Sequence, residues 1–260
     1  MNRHRSLAAL LCAALLSSCQ IFEKTAPRDI AGPVPANALV RFFNFGVNAP
    51  GVNFYADAAK MTAISSTTGV ESTTGVAYGA VGSGGFYSAI EPGQHALMGK
   101  IAATTDKDLA IATVTTTIED GKAYSYYLSG FYNTTTKVSD AFVVEDPYPE
   151  QYDFSVAYVR FVHAISNGNP MTLYATNTTT TTETAIGAAT SYKGAGAFTS
   201  VPAGVYDLNT RYTGVATNAI SRTAVSFLAG KHYTISARGD ITVVSTTATN
   251  RPILDNTANR

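Results

Sequence analysis

The chain has 260 residues, with 18 basic and 18 acidic side chains, and only 14% of its residues are charged. A protein so nearly neutral lacks the clustered positive charge that nucleic-acid binding requires, so we expect no nucleic-acid partner. Four histidines and two cysteines leave little material for a metal site or a disulfide framework, and we expect neither a metal nor another cofactor.

Residues 1–19 have the pattern of a bacterial lipoprotein signal. Arg3 and Arg5 precede an apolar run, Leu7 to Leu16, which is too short for a permanent membrane span. Leu16-Ser17-Ser18-Cys19 follows and resembles a lipobox, where such proteins are cut before the cysteine and lipidated on it. We therefore predict a signal peptide at 1–18 and lipidation of Cys19. The alternative is an ordinary secretory signal with an incidental cysteine.

Cleavage before Cys19 would leave 16 basic against 18 acidic side chains and a single, modified thiol, so no intramolecular disulfide is expected. Acyl chains would attach the protein to a membrane, each contributing about 0.8 kcal/mol per buried methylene. Gln20 stands where an Asp would resemble an inner-membrane retention signal. We therefore predict a lipid-anchored protein of the cell envelope, located at the outer membrane, on its periplasmic side or at the cell surface.

Residues 19–37 are predicted to be a flexible tether. Pro27, Pro33 and Pro35 lie among few apolar residues, which is typical of a spacer and not of a core element. If fully extended, such a stretch reaches on the order of 60 Å. The first folded domain would then stand clear of the lipid.

The rest of the chain shows strand signals throughout. Val40, Phe42 and Asn44 alternate with Arg41 and Phe43, and similar period-two runs recur between turn clusters. No long window carries an apolar stripe at helical spacing. The predicted fold class is therefore all-β, with antiparallel strands in sandwiches.

Two hairpins and a linker are predicted. Asn133–Lys137 separates the runs 124–132 and 138–144, and Arg238–Asp240 separates 233–237 from 241–244. The acidic, proline-containing stretch Glu145–Glu150 is predicted to lie between two domains, with the linker itself at 148–153. A Thr-rich loop at 177–184 has its counterpart at Ser65–Thr74, and composition does not decide whether such tracts are ordered.

The chain repeats itself. Val159-Arg160-Phe161-Val162-His163 restates Val40-Arg41-Phe42-Phe43-Asn44, and Gly230-Lys231-His232-Tyr233 restates Gly121-Lys122-Ala123-Tyr124. The offset between the copies falls from 119 to 109, which places the length differences in loops. Two tandem domains are therefore predicted, at 38–147 and 154–260.

These motifs resemble the bacterial domain-of-unknown-function family 4397, in which an opening V-R-F-V-H-A strand precedes a P-x-G turn and a late G-K-x-Y strand. The second copy matches at Val159–Ala164, Pro202–Gly204 and Gly230–Tyr233, whereas the first has Asn44 in place of the histidine. The resemblance implies two tandem immunoglobulin-like sandwiches on a secreted protein. It implies no activity and no catalytic residues.

Several residues and motifs are candidates for a functional site, and each has a structural interpretation. His163 is interpreted as a partly buried, hydrogen-bonded strand residue, because Asn44 replaces it in the first copy. Tyr124 and Tyr233 are interpreted as tyrosine corners, whose hydroxyls bond back to the backbone. The glycine-rich stretch Gly79–Gly85 lacks the Lys-Ser or Lys-Thr of a phosphate loop, and Arg238-Gly239-Asp240 is interpreted as turn chemistry.

The sequence predicts no enzyme and no catalytic residue, since it contains no G-x-S-x-G and few histidines. The predicted function is a non-catalytic envelope protein with a structural or adhesive role, in contact with a protein or glycan at the cell surface. The alternative is a carbohydrate-binding module that uses exposed rings such as Tyr55, Tyr174 or Tyr127, although the chain has no Trp.

Overall fold

A computed structural model describes residues 38–62, 73–149 and 151–259 of the chain. Cys19, the tether at 19–37 and most of the Ser65–Thr74 stretch lie outside these residues. The described residues form seventeen β-strands and a single 3₁₀ turn at Gly82–Gly85. Within them, no helix has the length and apolar character needed to cross a bilayer.

The first half forms two sheets. Its strands are β1 Ala38–Asn44, β2 Val52–Ala56, β3 Ala59–Lys60, β4 Ala80–Val81, β5 Ser88–Ile90, β6 Gly93–Ile101, β7 Ala110–Ile118, β8 Ala123–Asn133 and β9 Val138–Glu145. One sheet has the order β4-β1-β8-β9, with β5 also paired to β1, and the other has the order β3-β2-β6-β7.

The second half forms two sheets of the same plan. Its strands are β10 Val156–His163, β11 Met171–Asn177, β12 Glu183–Thr190, β13 Thr199–Pro202, β14 Gly204–Tyr212, β15 Ile220–Phe227, β16 His232–Arg238 and β17 Ile253–Ala258. The orders are β13-β10-β16-β17 and β12-β11-β14-β15. No strand of either half is hydrogen-bonded into a sheet of the other half among the described residues.

The predicted all-β class is confirmed, and one pair of strands in each half is parallel. β1 lies parallel to β8, with Val40 opposite Tyr124, and β10 lies parallel to β16, with Val159 opposite Tyr233. The other strand pairs are antiparallel in the described chain. The opening strand of each half therefore lies beside the late strand that carries the G-K-x-Y motif.

Each half has an apolar core between its two sheets. Phe42 of β1 stacks on Phe54 of β2 with ring centroids 5.1 Å apart, and Leu97 packs in the same cluster. Phe161 and Leu173 take part in the corresponding cluster of the second half. The period-two pattern of the strands supplies these side chains, and burying each stabilises the fold by about 1.5–3 kcal/mol.

A third apolar cluster joins the halves. Phe43, Tyr127 and Phe142 from the β1 and β8 sheet lie against Val162 and Ala164 of the second half. We call this contact, between the sheet that contains β1 and the sheet that contains β10, the central interface. Because of it, β1 and β10 are buried on both faces, although their sequences alternate as for strands with one buried face.

Both predicted tyrosine corners are present. The backbone N–H of Glu119 donates to the Tyr124 hydroxyl at 3.1 Å, and the N–H of Leu228 donates to the Tyr233 hydroxyl at 3.0 Å. The donor lies five residues before the tyrosine in each half. The two corners thus fix equivalent connections, from β7 to β8 and from β15 to β16.

One predicted hairpin is confirmed and the other is wrong. β8 turns into β9 at 134–137, where the Asn133 side chain accepts the N–H groups of Thr135 and Thr136. β16 instead pairs with β17, so the connection after Arg238 runs over residues 239–252 and 241–244 is not a strand. The Thr-rich loop at 177–184 is an ordered turn between β11 and β12, capped in the same way by Asn177.

Candidate functional site

Two arginines lie inside the central interface. Arg41 is at the middle of β1 and Arg160 is at the middle of β10, and their exposed fractions are 1% and 0%. Arginine is rarely buried to this extent unless it is paired, since taking its charge out of water is costly. The partners of these two side chains therefore define what the interface can do.

Arg160 has partners for all three of its guanidinium nitrogens. Nε donates to Thr234 Oγ1 at 3.0 Å, Nη1 donates to the Glu145 carbonyl oxygen at 2.8 Å, and Nη2 forms an ion pair with the Asp146 carboxylate. The Phe198 ring covers the guanidinium at 5.1 Å. The partners of Nη1 and Nη2, Glu145 and Asp146, belong to the first half of the chain, whereas Arg160 belongs to the second.

Asp146 holds this network together. Its carboxylate also accepts hydrogen bonds from Ser125 Oγ at 2.8 Å and from the Tyr87 hydroxyl, and its backbone N–H donates to the Ala123 carbonyl at 2.7 Å. Asp146 belongs to the acidic stretch that the sequence predicts to lie between two domains, and the structure buries it at 2% exposure. Burial, with the Asp146 charge beside it, raises the pKa of Tyr87, so the Tyr87 hydroxyl stays protonated and donates.

Arg41 occupies the reciprocal position but has weaker partners. Nη2 donates to Asn259 Oδ1 at 3.0 Å, and Nη1 lies 3.4 Å from both the Gly85 and the Ala258 carbonyl oxygens. The Tyr87 ring covers the guanidinium at 4.5 Å. Arg160 thus binds Asp146, which follows β9, and Arg41 binds Asn259, which follows β17. The two halves contact each other reciprocally, as the subunits of a two-fold dimer do.

Two further clusters hold the interface at other points. Tyr192 of the second half bonds to Ser129 at 2.8 Å and to Asp140 at 3.0 Å, both in the first half. Arg238 pairs with Asp255 and lies over the Tyr78 ring of the first half at 5.0 Å. The central interface therefore contains polar contacts at several points, in addition to its apolar cluster.

A surface pocket of about 580 Å³ opens beside Arg41. Its lining combines residues of both halves: Val81 and Gly84–Tyr87 from the first, and Leu228, Lys231, Tyr233 and Asn256–Asn259 from the second. Gly85, Ala258 and Asn259, which accept hydrogen bonds from Arg41, all belong to this lining. The predicted glycine-rich connection at Gly79–Gly85 therefore lines a pocket wall.

His163 is a structural residue, as interpreted from the sequence, and it is fully buried. Its Nδ1 accepts the N–H of Ile165 at 3.2 Å, and its Nε2 lies 3.1 Å from the Asn169 carbonyl oxygen. Asn44 makes the same type of contacts: Oδ1 accepts the N–H of Gly46, and Nδ2 donates to Val76 O at 2.8 Å. Burial lowers the pKa of His163, which favours the neutral ring these contacts require.

The rings considered for glycan binding have different surroundings. Tyr127 is fully buried in the central interface, so its predicted exposure is wrong. Tyr55 and Tyr174 are partly exposed, but Lys100 lies 4.4 Å from the first ring and Arg211 lies 4.5 Å from the second. A cation thus already covers one face of each remaining ring.

Sequence reasoning missed the buried arginines. The signal was present, because an arginine stands between apolar residues at the same place in both opening strands, Val40-Arg41-Phe42 and Val159-Arg160-Phe161. Alternation assigned it to a solvent face. Only the packing of the two halves shows that this face is covered.

Residues 157–260 match the model of one protein family, described as Domain of unknown function (DUF4397). No curated protein matches the chain. The matched range contains β10 to β17 and the Val159–Ala164 and Gly230–Tyr233 motifs on which the resemblance was based. The second half of this chain is therefore similar to the DUF4397 domain of unknown function.

Proposed function

We propose that the chain is a non-catalytic, lipid-anchored protein of the bacterial cell envelope with a structural or adhesive role, built from two tandem copies of one sandwich domain at 38–147 and 154–260. The central interface is the observation that supports this role. It locks two sandwiches into one body by apolar packing and by buried hydrogen bonds that cross between the halves. A rigid body on a tether is suited to holding a surface at a distance from a membrane.

Arg160 and Asp146 support a structural role because their bonding capacity is used within the protein. Arg160 and Asp146 satisfy each other, and Asp146 accepts two further hydrogen bonds from Ser125 and Tyr87. Side chains that satisfy one another in a covered interface fix the geometry of the two halves.

Metabolic labelling with a fatty acid tests the anchor. The wild-type protein should incorporate label and fractionate with the outer membrane, and a Cys19→Ala variant should lose both properties. Cys12→Ala is the matched control, because Cys12 would leave with the signal peptide and its loss should not affect labelling. Label that persists in Cys19→Ala would overturn the anchor.

A glycan array with soluble protein tests the adhesive role against the carbohydrate-binding alternative. The expected result is no specific carbohydrate signal, since Tyr127 is buried and a cation covers Tyr55 and Tyr174. Selective binding that Tyr55→Ala or Tyr174→Ala removes would establish the alternative in place of the structural role.

A further inference from the structure

The pocket beside Arg41 has a counterpart in the first half, and strand register identifies the equivalent residues. Tyr124 lies opposite Glu145 in the same way that Tyr233 lies opposite Ala258. The next residue in each case, Asp146 or Asn259, donates its N–H to β8 or β16 at 2.7 Å. Lys122 and Lys231 occupy equivalent positions before these two late strands.

Both cations of the first-half site are paired with carboxylates. Lys122 forms ion pairs with Glu119 at 2.9 Å and Glu145 at 3.1 Å, and Arg160 forms an ion pair with Asp146. Three carboxylates therefore surround one ammonium and one guanidinium. This side of the molecule has no need of an external anion.

The second-half site keeps the cations and replaces every carboxylate. Leu228, Ala258 and Asn259 stand at the places of Glu119, Glu145 and Asp146. Lys231 and Arg41 remain, and neither has an ion pair among the residues that the structure describes. The replacement leaves Lys231 in the pocket lining without a carboxylate partner within the described chain, and leaves Arg41 buried behind that lining, in contact with Gly85, Ala258 and Asn259.

Arg41 is the stronger indicator because it is buried. A guanidinium out of water is costly unless an anion neutralises it, and its two 3.4 Å contacts are longer than good N–H···O hydrogen bonds. Its Nε has no hydrogen-bond partner within the described part of the chain. The equivalent Nε of Arg160 is satisfied by Thr234.

The rest of the lining indicates the kind of anion. Phe86 and Leu228 are 77% and 61% exposed and both line the pocket. The Tyr233 hydroxyl, which accepts the N–H of Leu228, keeps its own hydrogen for donation. An ammonium, a hydroxyl and two apolar side chains suit a ligand with a charged end and an apolar body.

We propose that this pocket binds an organic carboxylate. The carboxylate lies beside Lys231, at the lining residues Ala258 and Asn259 that contact Arg41, and its charge takes the place of the Glu145 and Asp146 carboxylates of the first-half site. The apolar part of the ligand lies against Phe86 and Leu228. A carboxylate is favoured over a phosphate because the carboxylates of the first-half site show which group this geometry accommodates.

Thermal unfolding of the full soluble chain in benzoate, acetate or glucuronate, against chloride at equal ionic strength, tests the proposal. Benzoate should raise the Tm of the wild type by about 2–4 °C near saturation. Acetate should act at higher concentration because it lacks an apolar body. Glucuronate acting more strongly than benzoate would identify an acidic sugar as the source of the carboxylate.

Three variants locate the effect. Asn259→Asp supplies the missing carboxylate as Asp146 does, so this variant should lose the benzoate shift while Arg41 stays in place. Lys231→Gln, at an exposed position, should reduce the shift. Lys122→Gln, the matched change in the first-half site, should leave the benzoate shift unchanged.

The proposal is overturned if benzoate leaves the wild-type Tm at its chloride value, or if Asn259→Asp responds as the wild type does. An equal response to phosphate and sulfate would also overturn it, because the site would then be a general anion site and not a carboxylate site.

Discussion

The pairing of Arg160 with Asp146 shows how a single buried residue can connect two halves of a chain. Removing both charges from water has a large cost, and the direct attraction offsets it only when the remaining hydrogen bonds are made. Here Thr234, Ser125 and Tyr87 make them. The pair therefore specifies how the halves fit together more than it adds net stability.

Replacing Asp146 by Ala should be strongly destabilising, because it leaves the Arg160 guanidinium buried without its anion. We expect a loss of about 3–5 kcal/mol in the free energy of unfolding, measured by urea denaturation. The corresponding fall in Tm is on the order of 10 °C. Glu183→Ala, which breaks the more exposed ion pair with Arg211, is the control and should have little effect.

His163 should make stability depend on pH. Burial lowers its pKa in the folded protein, so the unfolded chain takes up a proton first as the pH decreases. This group leaves stability unchanged above its unfolded pKa of about 6.5, and stability falls as the pH decreases below that value towards the folded pKa. The slope for one proton is at most about 1.4 kcal/mol per pH unit.

Substituting Asn at position 163 tests this dependence, because Asn44 serves the equivalent place in the first half. Urea unfolding at pH 7.5 and at pH 5.5 should show a smaller difference for His163→Asn than for the wild type. His95, which has a raised pKa, titrates in both proteins and cancels in the comparison. Equal differences in the two proteins would show that His163 does not control this pH range.

At the scale of elements, alternation predicted where strands lie but not always what they pair with. The β8 and β9 hairpin followed from a short turn between two alternating runs, and it is present. After β16 the same reasoning selected 241–244, whereas the strand that pairs is β17, whose Leu254 is buried in the core. Asp240 instead caps a turn with Thr242 and accepts a hydrogen bond from Asn167 at 2.7 Å.

The pairing of β16 could not be obtained from local pattern. Two segments with similar alternation follow Arg238, and the one that fills the core forms the strand because burial outweighs the cost of a longer loop. That cost grows slowly, by about 0.6 kcal/mol for each doubling of loop length. Going from the predicted turn at 238–240 to the connection at 239–252 therefore costs about 1.3 kcal/mol, which is less than the roughly 1.5–3 kcal/mol from burying a Leu side chain.

At the scale of the whole molecule, the sequence predicted two tandem domains, and the central interface adds a coupling between the two halves. Separate apolar cores favour independent folding. The shared cluster and the buried arginine contacts oppose it, because either half alone would expose Phe43 and Tyr127 or Val162. We expect the wild type to unfold in a single cooperative transition.

Differential scanning calorimetry of the full chain tests this coupling. Val162→Asp introduces a charge into the central interface and should divide the single transition into two, one for each half. Phe161→Ala, in the core of the second half, should reduce the free energy of unfolding by about 3–5 kcal/mol. The single transition should move to a lower temperature without dividing. Two transitions in the wild type would show that the interface does not couple the halves.

The sequence by itself determined the all-β class, both tyrosine corners and the hydrogen-bonded state of His163. These follow from period-two alternation, turn chemistry and local hydrogen bonds, which act over a few residues. Only the tertiary structure decided the burial of Arg41, Arg160, Asp146 and Tyr127 and the pocket beside Arg41. Those features depend on which sheet faces meet. The contacts between the two faces join side chains from 14 to 218 positions apart in the chain, and no local pattern records them.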